Sequence, residues 1–365
     1  MNMKPKFKSV SILIDNNNQI YSLINDFLNF LNNNSFELEK LGLKINIIFD
    51  SFNYKTSHDS HDSHDFDFSA IENSKIIKDI LEVKDICEKN KLNFYYFTPP
   101  IAYDNNFKKF SGIISILLKE GQKNYFISNF GFITLLEEML KLDKTNNDLN
   151  LIFSHNFNLA NSMHIEVLKD SLNKRFSISE VILSPELTLN ELDDLSRNFY
   201  FKHDDKYSDK NNLNRYQTIL SVYAYGYFPI ITARVKYPNW DNYKADKKFI
   251  KDQKGYMFPL EKDYLGNTII LNSKKLNLIF DLDKLIKVNI NGFFIDTRFL
   301  ELKEIKFIIE NIINLLVLLI KLEQNNLKGL KVKKFREEFE DIIKEISKSN
   351  YLKDFTKGHL YREVI

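Results

Sequence analysis

Short apolar runs alternate with amphipathic stretches along most of this chain. The short runs are rich in β-branched and aromatic residues, which is typical of buried strands. They predict strands at residues 10–14, 45–49, 93–97, 124–127, 149–153, 180–183 and 292–295. The longer stretches carry apolar residues every three or four positions, which is typical of amphipathic helices. They predict helices at 21–31, 71–90, 112–120, 132–140, 160–172 and 301–324, another that begins after Thr188, and a last one over 335–346.

The alternation of strands and helices predicts parallel strands joined by crossover helices. Because there are six or seven such units and no glycine-rich phosphate loop, we predict an α/β fold of the (β/α) TIM-barrel type rather than an open doubly wound sheet. The alternation breaks at 216–234, where one or two strands flank Gly226, and at 255–280, where a hairpin turns near 264–267. We therefore expect one barrel domain over residues 1–365, a β-rich insertion at 236–280, and C-terminal helices.

Composition narrows the classes of function. The net charge of +2 over 365 residues gives no overall attraction to nucleic acid. The single cysteine, Cys87, excludes an intramolecular disulfide and any all-cysteine metal or iron–sulfur site built by this chain alone. The basic N-terminus has no apolar segment behind it, and the apolar run at 307–320 is shorter than the roughly 20 residues that span a membrane. We expect a cytoplasmic protein with no membrane association, and its cofactor, if any, stays unknown.

Side chains with catalytic potential follow several of the predicted strands. In a (β/α) barrel the C-terminal ends of the strands share one rim, where active sites lie. A carboxylate beside a histidine performs general acid–base chemistry, and an arginine holds a carboxylate or phosphate with two hydrogen bonds. The residues that this placement brings to the rim are Asp50, Thr98, His155, Asn156, Glu186, Asp296 and Arg298.

Structural roles for the same residues stay open. Glu186 and Thr188 also fit the start of a helix, since Thr188 and Glu191 have the spacing of a capping box. Asp296 and Arg298 also fit a structural ion pair. The sequence at 57–65 repeats Ser-His-Asp three times, and such residues bind zinc or nickel, but their spacing matches no closed site. We interpret residues 52–70 as a flexible, solvated His/Asp loop.

Several short motifs occur in a fixed order from about Leu92 to the C-terminus. Together they resemble the core of the collagenase-like peptidase family of unassigned catalytic type, the peptidase family U-thirty-two. The residues that carry the resemblance are Ser154-His155-Asn156, Asn161-Ser162, Glu186-Leu187-Thr188, Tyr225-Gly226-Tyr227-Phe228-Pro229-Ile230, Phe294-Ile295-Asp296-Thr297-Arg298 and Thr356-Lys357-Gly358-His359-Leu360-Tyr361-Arg362.

The resemblance implies a barrel fold and a protease-like hydrolase activity on an unknown peptide substrate. In that interpretation Glu186 acts as the base, and His155 or His359 carries the proton. Asp296 and Arg298 lie on the same rim. The C-terminal motif would fold back over this rim through a tight turn at Gly358, which would bring His359 towards Glu186 and Asp296.

This chain departs from one branch of the family. Relatives that resemble tRNA or rRNA hydroxylation factors carry a four-cysteine iron–sulfur site around the Tyr-Gly strand and beyond it. The residues after Tyr225-Gly226 include no cysteine here, so we expect no iron–sulfur cluster from this chain alone. Two alternatives to a peptidase follow. One is a non-catalytic subunit that pairs with a cysteine-bearing homologue through the apolar residues 307–320. The other is a hydroxylation-type factor with an RNA substrate that has lost its cluster.

Overall fold

Eight parallel strands close into a barrel in the computed structural model of this protein. The structure describes residues 8–15, 30, 38, 40–51, 75–100, 104–142, 148–172, 174–201, 218–233, 248–262, 267–324, 330–349 and 355–361. In chain order, the first seven barrel strands each pair with the next, and the eighth closes the ring by pairing with both the first and the seventh. The barrel strands are β1 (Lys8–Asp15), β2 (Leu43–Asp50), β3 (Asn93–Phe97), β4 (Asn124–Ile127), β5 (Leu149–Phe153), β6 (Phe176–Ile182), β7 (Ile219–Gly226) and β13 (Gly292–Asp296). The prediction of a TIM-barrel-like fold is confirmed.

Helices surround this barrel and bury their apolar stripes against it. On the first of them, α1 (Lys75–Lys89), Ile80, Val83 and Cys87 are completely buried, as the sequence predicts. Their burial stabilises the fold through the apolar area removed from water, at about 25 cal/mol per Å². The helices are α1 (Lys75–Lys89), α2 (Asp104–Lys119), α3 (Phe130–Leu142), α4 (Ser162–Ser171), α5 (Leu189–Phe201), α6 (Leu282–Lys287), α7 (Leu302–Gln324) and α8 (Leu330–Ser347).

The long helix α7 includes the apolar residues 307–320, which were considered above as an interface with a homologous subunit. Ile308, Ile312 and Leu316 on this helix are completely buried and belong to the same core cluster as the barrel strands. Most of the run is therefore used within the chain, which removes this argument for a homologous subunit. None of the described helices has the length and apolar character needed to cross a membrane.

A small antiparallel sheet follows the seventh barrel strand. Its strand order is β8 (Pro229–Ala233), β11 (Thr268–Leu271), β10 (Met257–Lys262) and β9 (Lys248–Lys251). The chain then returns to the barrel through β12 (Lys275–Asn277), which pairs antiparallel with the end of β7. Strands β9 to β12 fall within the range predicted as an insertion, whereas β8, in the same sheet, precedes it. Residues 234–247 and 263–266, and the His/Asp loop at 52–70, lie outside the described part of the chain.

The C-terminal motif docks beside the barrel rim. Strand β14 (Phe355–Thr356) pairs parallel with β12, and Gly358 takes a positive φ of 57°, the turn that the sequence predicts. Beyond that turn, the Leu189 N–H donates to the Leu360 carbonyl at 2.9 Å. Lys357 reaches the buried Asp281 at 2.8 Å, and the Tyr361 hydroxyl donates to the same carboxylate. These contacts fasten the end of the described chain to α5 and to the segment after β12.

Candidate active site at the barrel mouth

A pocket of about 30 Å³ lies between the C-terminal ends of the barrel strands and the small antiparallel sheet. A volume of this size holds a water molecule, which requires about 10–15 Å³. The barrel supplies one side through β3, β4 and β13, and β8 and β11 supply the other. The lining includes Phe97, Phe126, Ser128, His155, Asn156, Pro229, Thr232, Ile269, Phe294 and Arg298.

Arg298 is held at this mouth by two buried carboxylates. Its Nε and Nη2 donate to Oδ1 and Oδ2 of Asp296 at 2.9 and 2.7 Å, and its Nη1 lies 3.7 Å from Oδ2 of Asp50. Both carboxylates are fully buried and Arg298 is 7% exposed. Because a buried charge is costly without a partner, the three side chains stabilise one another in this arrangement. The ion pair that the sequence offered as a structural role for Asp296 and Arg298 is therefore present.

Close approach of two strand ends sets the position of Asp296. Gly226 ends β7 with a φ of 133°, and a Cβ atom built there would lie 2.5 Å from the Asp296 carbonyl oxygen. A side chain at position 226 would displace the end of β13. The Tyr-Gly motif thus has a packing role beside the site.

His155 enters the pocket from the short 3₁₀ turn that follows β5. Ser154 caps this turn by accepting the Asn156 N–H at 3.2 Å, and Asn158 ends it with a left-handed backbone. The imidazole packs among Tyr223, Phe228 and Phe294, with ring centroids 5.3 to 5.9 Å away. Burial lowers the pKa of His155 from 6.5 to about 4; Asp296 opposes this shift and Arg298 adds to it. The imidazole is therefore neutral near pH 7.

Two buried polar atoms of the pocket residues have no hydrogen-bond partner among the described residues. They are Nδ1 of His155 and Oγ of Ser128. A buried polar atom without a partner costs roughly 1–3 kcal/mol, and such atoms are often kept for function. The neighbouring Thr98, by contrast, has hydrogen-bond partners: its hydroxyl donates to the Phe126 carbonyl at 3.0 Å and accepts the Ser128 N–H. Thr98 therefore positions the β4 end that carries Ser128.

Glu186 and His359 lie apart from the pocket lining. Glu186 is exposed in the turn between β6 and α5, where its N–H donates to Oγ of Ser184. His359 is also exposed, and its electrostatic interaction with Glu191 at the start of α5 is a minor cause of the lowered pKa of Glu191. The hydrogen bonds from Thr188 are the main cause that lowers the pKa of Glu191, and Glu191 in turn donates its N–H to the Thr188 hydroxyl at 3.3 Å. The predicted capping box is confirmed, so Thr188 has a structural role.

Sequence reasoning missed a buried carboxylate inside the barrel, Glu180 on β6. Its Oε2 accepts hydrogen bonds at 2.8–3.0 Å from Ser9, Ser11 and the Asn46 amide, and its Oε1 accepts one at 2.6 Å from Ser221. Burial raises the pKa of Glu180 and these hydrogen bonds oppose the rise. One sequence signal was available: Ser9 and Ser11 alternate with apolar residues along β1, which indicates polar side chains on one face. Because these four donors converge on one buried carboxylate, and the Asn46 amide also donates to Ser11, we interpret the cluster as structural.

No group of three His, Cys, Asp or Glu within the described ranges is placed to hold a metal ion. The pocket itself offers one arginine, one imidazole and the side chains of Ser128 and Asn156. This set suits hydrogen bonding to an oxygen-bearing organic group together with proton transfer.

Comparisons with known proteins add no identification. No protein-family model matches this chain, and no curated protein matches it either. The structure aligns weakly with the spore cortex-lytic enzyme SleL of Bacillus cereus, at 10% identity and a TM-score of 0.26, over 80% of this chain and 71% of that one. The SleL of Bacillus megaterium QM B1551 aligns at 9% identity and a TM-score of 0.25, over 81% of this chain and 71% of that one. Such low TM-scores support no argument about fold or function.

The buried imidazole predicts a pH effect on stability. Above pH 6.5 His155 is neutral in both the folded and the unfolded chain; between pH 6.5 and about 4 only the unfolded chain binds the proton. Part of the stability should therefore be lost as the pH falls through this window. Urea unfolding at pH 7 and at pH 4.5 measures the free energy of unfolding, and its decrease between the two pH values should be smaller for His155→Asn than for the wild type. His164→Asn, an exposed histidine on α4, should lose as much as the wild type, and equal losses in all three proteins would contradict a neutral buried His155.

Proposed function

We propose that this protein is a hydrolase that cleaves peptide bonds in the pocket at the barrel mouth. The observation that carries the proposal is His155: a buried imidazole, neutral near pH 7, with an unpartnered Nδ1, in one small pocket with Arg298. Active sites of (β/α) barrels lie at this end of the strands, and a neutral imidazole can accept a proton. The resemblance of the motifs to the collagenase-like peptidases favours a peptide over other substrates.

In the proposed reaction His155 accepts a proton from a water molecule as its oxygen bonds to the substrate carbonyl carbon. The carbon–nitrogen bond then breaks, and the imidazolium returns the proton to the departing amine. Asp296, whose charge raises the pKa of His155, favours the transient imidazolium. Arg298 binds an oxygen atom of the substrate and fixes its orientation. Burial of the pocket strengthens each of these electrostatic contacts.

The role of base moves from Glu186 to His155 in this proposal. Glu186 is exposed and lies outside the pocket lining, so a substrate bound there meets His155 and Arg298 instead. His359 is exposed near Glu191 and has no position from which to act in the pocket. We therefore expect both residues to be dispensable for the chemical step.

His155→Asn should lower kcat/KM for peptide hydrolysis by about 100-fold or more, because a positioned acid–base group contributes roughly 10²–10⁴. The assay would use a pool of short unstructured peptides and would detect new amino termini by mass spectrometry. His164→Asn is the matched control, and Glu186→Gln and His359→Asn should retain wild-type rates. Absence of any cleavage by the wild-type protein, or equal cleavage by His155→Asn, would refute the proposed function.

A further inference from the structure

We infer that Ser128 is a positioning residue of the site, and that its hydroxyl and Nδ1 of His155 together hold the water molecule that attacks the substrate. This inference rests on the proposed function and names a second residue that orients its nucleophile. Ser128 exchanges no proton in the reaction and contacts only the water. The peptide presents its carbonyl carbon to this water from outside the pocket. Three features of the mouth lead to this conclusion.

The first feature is the size of the pocket. Its volume of about 30 Å³ accommodates water, which requires about 10–15 Å³, and is too small for an amino-acid residue. Stacked rings form part of its wall: Phe97 lies on Phe126 and Phe126 on Phe294, with centroid separations of 5.6 Å in both pairs. The group that enters the pocket itself is therefore water, and the peptide stays at its edge.

The second feature is a pair of polar atoms in the pocket wall. Oγ of Ser128 and Nδ1 of His155 are buried, and neither has a hydrogen-bond partner among the described residues. The two residues are 5% and 8% exposed, so both are more than nine-tenths buried. A buried water typically makes two to four hydrogen bonds to groups of this kind. One water between the two atoms gives each a partner, and the Asn156 side chain in the same lining offers a third contact.

The third feature is the fixed backbone that carries both side chains. The Ser128 N–H donates to the Thr98 hydroxyl at 3.1 Å. The carbonyl of the preceding Ile127 accepts the Ser154 N–H at 2.9 Å, and Ser154 also caps the turn that carries His155. Ser154 therefore joins the end of β4 to the turn after β5. Groups held in this way are pre-organised around their ligand, as a catalytic site requires.

A water in this position has both hydrogens and one lone pair directed. It donates one hydrogen to Nδ1 of His155 and the other to Oγ of Ser128, since a neutral imidazole protonated at Nε2 and a hydroxyl oxygen are both acceptors. A lone pair of the water oxygen is left for the substrate carbonyl carbon. As the carbon–oxygen bond forms, Nδ1 takes the first hydrogen as a proton, and the second stays on the oxygen. Ser128 thus sets the direction of attack.

A crystal structure of the wild-type protein tests the water site without any substrate. We expect one water within about 2.5–3.2 Å of both Oγ of Ser128 and Nδ1 of His155. Ser128→Ala removes the hydroxyl with little change in volume, and in its structure this water should be displaced or absent. A wild-type structure in which no water contacts both atoms would overturn the inference.

Ser128→Ala should lower kcat for peptide hydrolysis about tenfold and leave KM unchanged, because one orienting hydrogen bond is lost at the attack step. The midpoint of urea unfolding should not fall, since the hydroxyl has no partner among the described residues to lose. A purely structural serine would give the opposite result, a lower midpoint with an unchanged rate. Ser196→Ala is the matched control: it removes another completely buried hydroxyl, which donates to the Asp193 carbonyl at 2.9 Å, and it should keep the wild-type rate.

The outcomes separate this inference from the proposed function. Cleavage by Ser128→Ala at the wild-type rate would overturn the role of Ser128 and leave the hydrolase to His155 alone. A bridging water in the crystal without any cleavage by the wild-type protein would refute the hydrolase, and with it the attack by this water.

Discussion

Arg298→Met should lower the free energy of unfolding by about 3–5 kcal/mol, because removal of one partner leaves buried charges without compensation. Asp296 would lose both side-chain hydrogen bonds from the guanidinium, and Asp50 would lose the cation 3.7 Å from its Oδ2. Methionine nearly fills the space of the arginine stem, so a cavity contributes little to this loss. Urea unfolding at pH 7 measures the change.

Arg197→Met is the matched control for this prediction. Arg197 pairs with Asp193 on the exposed side of α5, with 66% of its side chain accessible. An exposed ion pair contributes about 0–1 kcal/mol, so this variant should unfold within about 1 kcal/mol of the wild type. If Arg298→Met were equally mild, the two buried carboxylates would not depend on Arg298, and the described arrangement of the mouth would be wrong.

Glu180→Leu should destabilise the protein by at least about 3 kcal/mol. Leucine keeps most of the volume but accepts no hydrogen bond, so the hydroxyls of Ser9, Ser11 and Ser221 would lose their acceptor inside the barrel. The Asn46 amide, which also donates to Ser11, would lose one of its two acceptors. Each buried group left without a partner costs roughly 1–3 kcal/mol. Some of these donors would find new acceptors after relaxation, so the sum is smaller than four full penalties. Chemical denaturation at pH 7 would report the loss.

Glu186→Leu provides the contrast six positions along the chain. Glu186 is exposed, and surface substitutions usually change stability by less than about 0.5 kcal/mol. Glu180→Gln retains one acceptor oxygen, so its free energy of unfolding should lie between those of Glu180→Leu and Glu186→Leu. A Glu180→Leu protein as stable as Glu186→Leu would show that the buried hydrogen-bond cluster does not hold the barrel together.

This pair of glutamates shows what sequence could and could not predict here. Glu186 follows a strand and precedes a capping box, so the local sequence pattern predicted it as a candidate residue of the barrel rim. Glu180 lies within a strand, and its partners come from β1, β2 and β7, up to 171 positions away. Their convergence depends on closure of the barrel, which no local pattern encodes. The alternating serines of β1 indicated a polar face but gave no information about which carboxylate would meet it.

The barrel itself could be predicted because hydrophobic periodicity is local. The strands 93–97, 124–127 and 149–153 coincide with the described elements, since each is a short apolar run bounded by polar residues. Helix ends were less accurate: the helix predicted from 112 begins at Asp104, because its first turns have a polar composition. The two sides of the mouth, by contrast, come from distant segments, and only the folded chain brings His155 and Arg298 into one pocket.

In the proposed function the mouth pocket is a catalytic site, and His155 is its proton acceptor. The most direct test is the ratio of kcat/KM between His155→Asn and His164→Asn on one cleaved peptide, measured with proteins of confirmed folding. We predict a ratio of about 0.01 or less. A ratio near one would contradict the assignment of His155, and with it the placement of the active site.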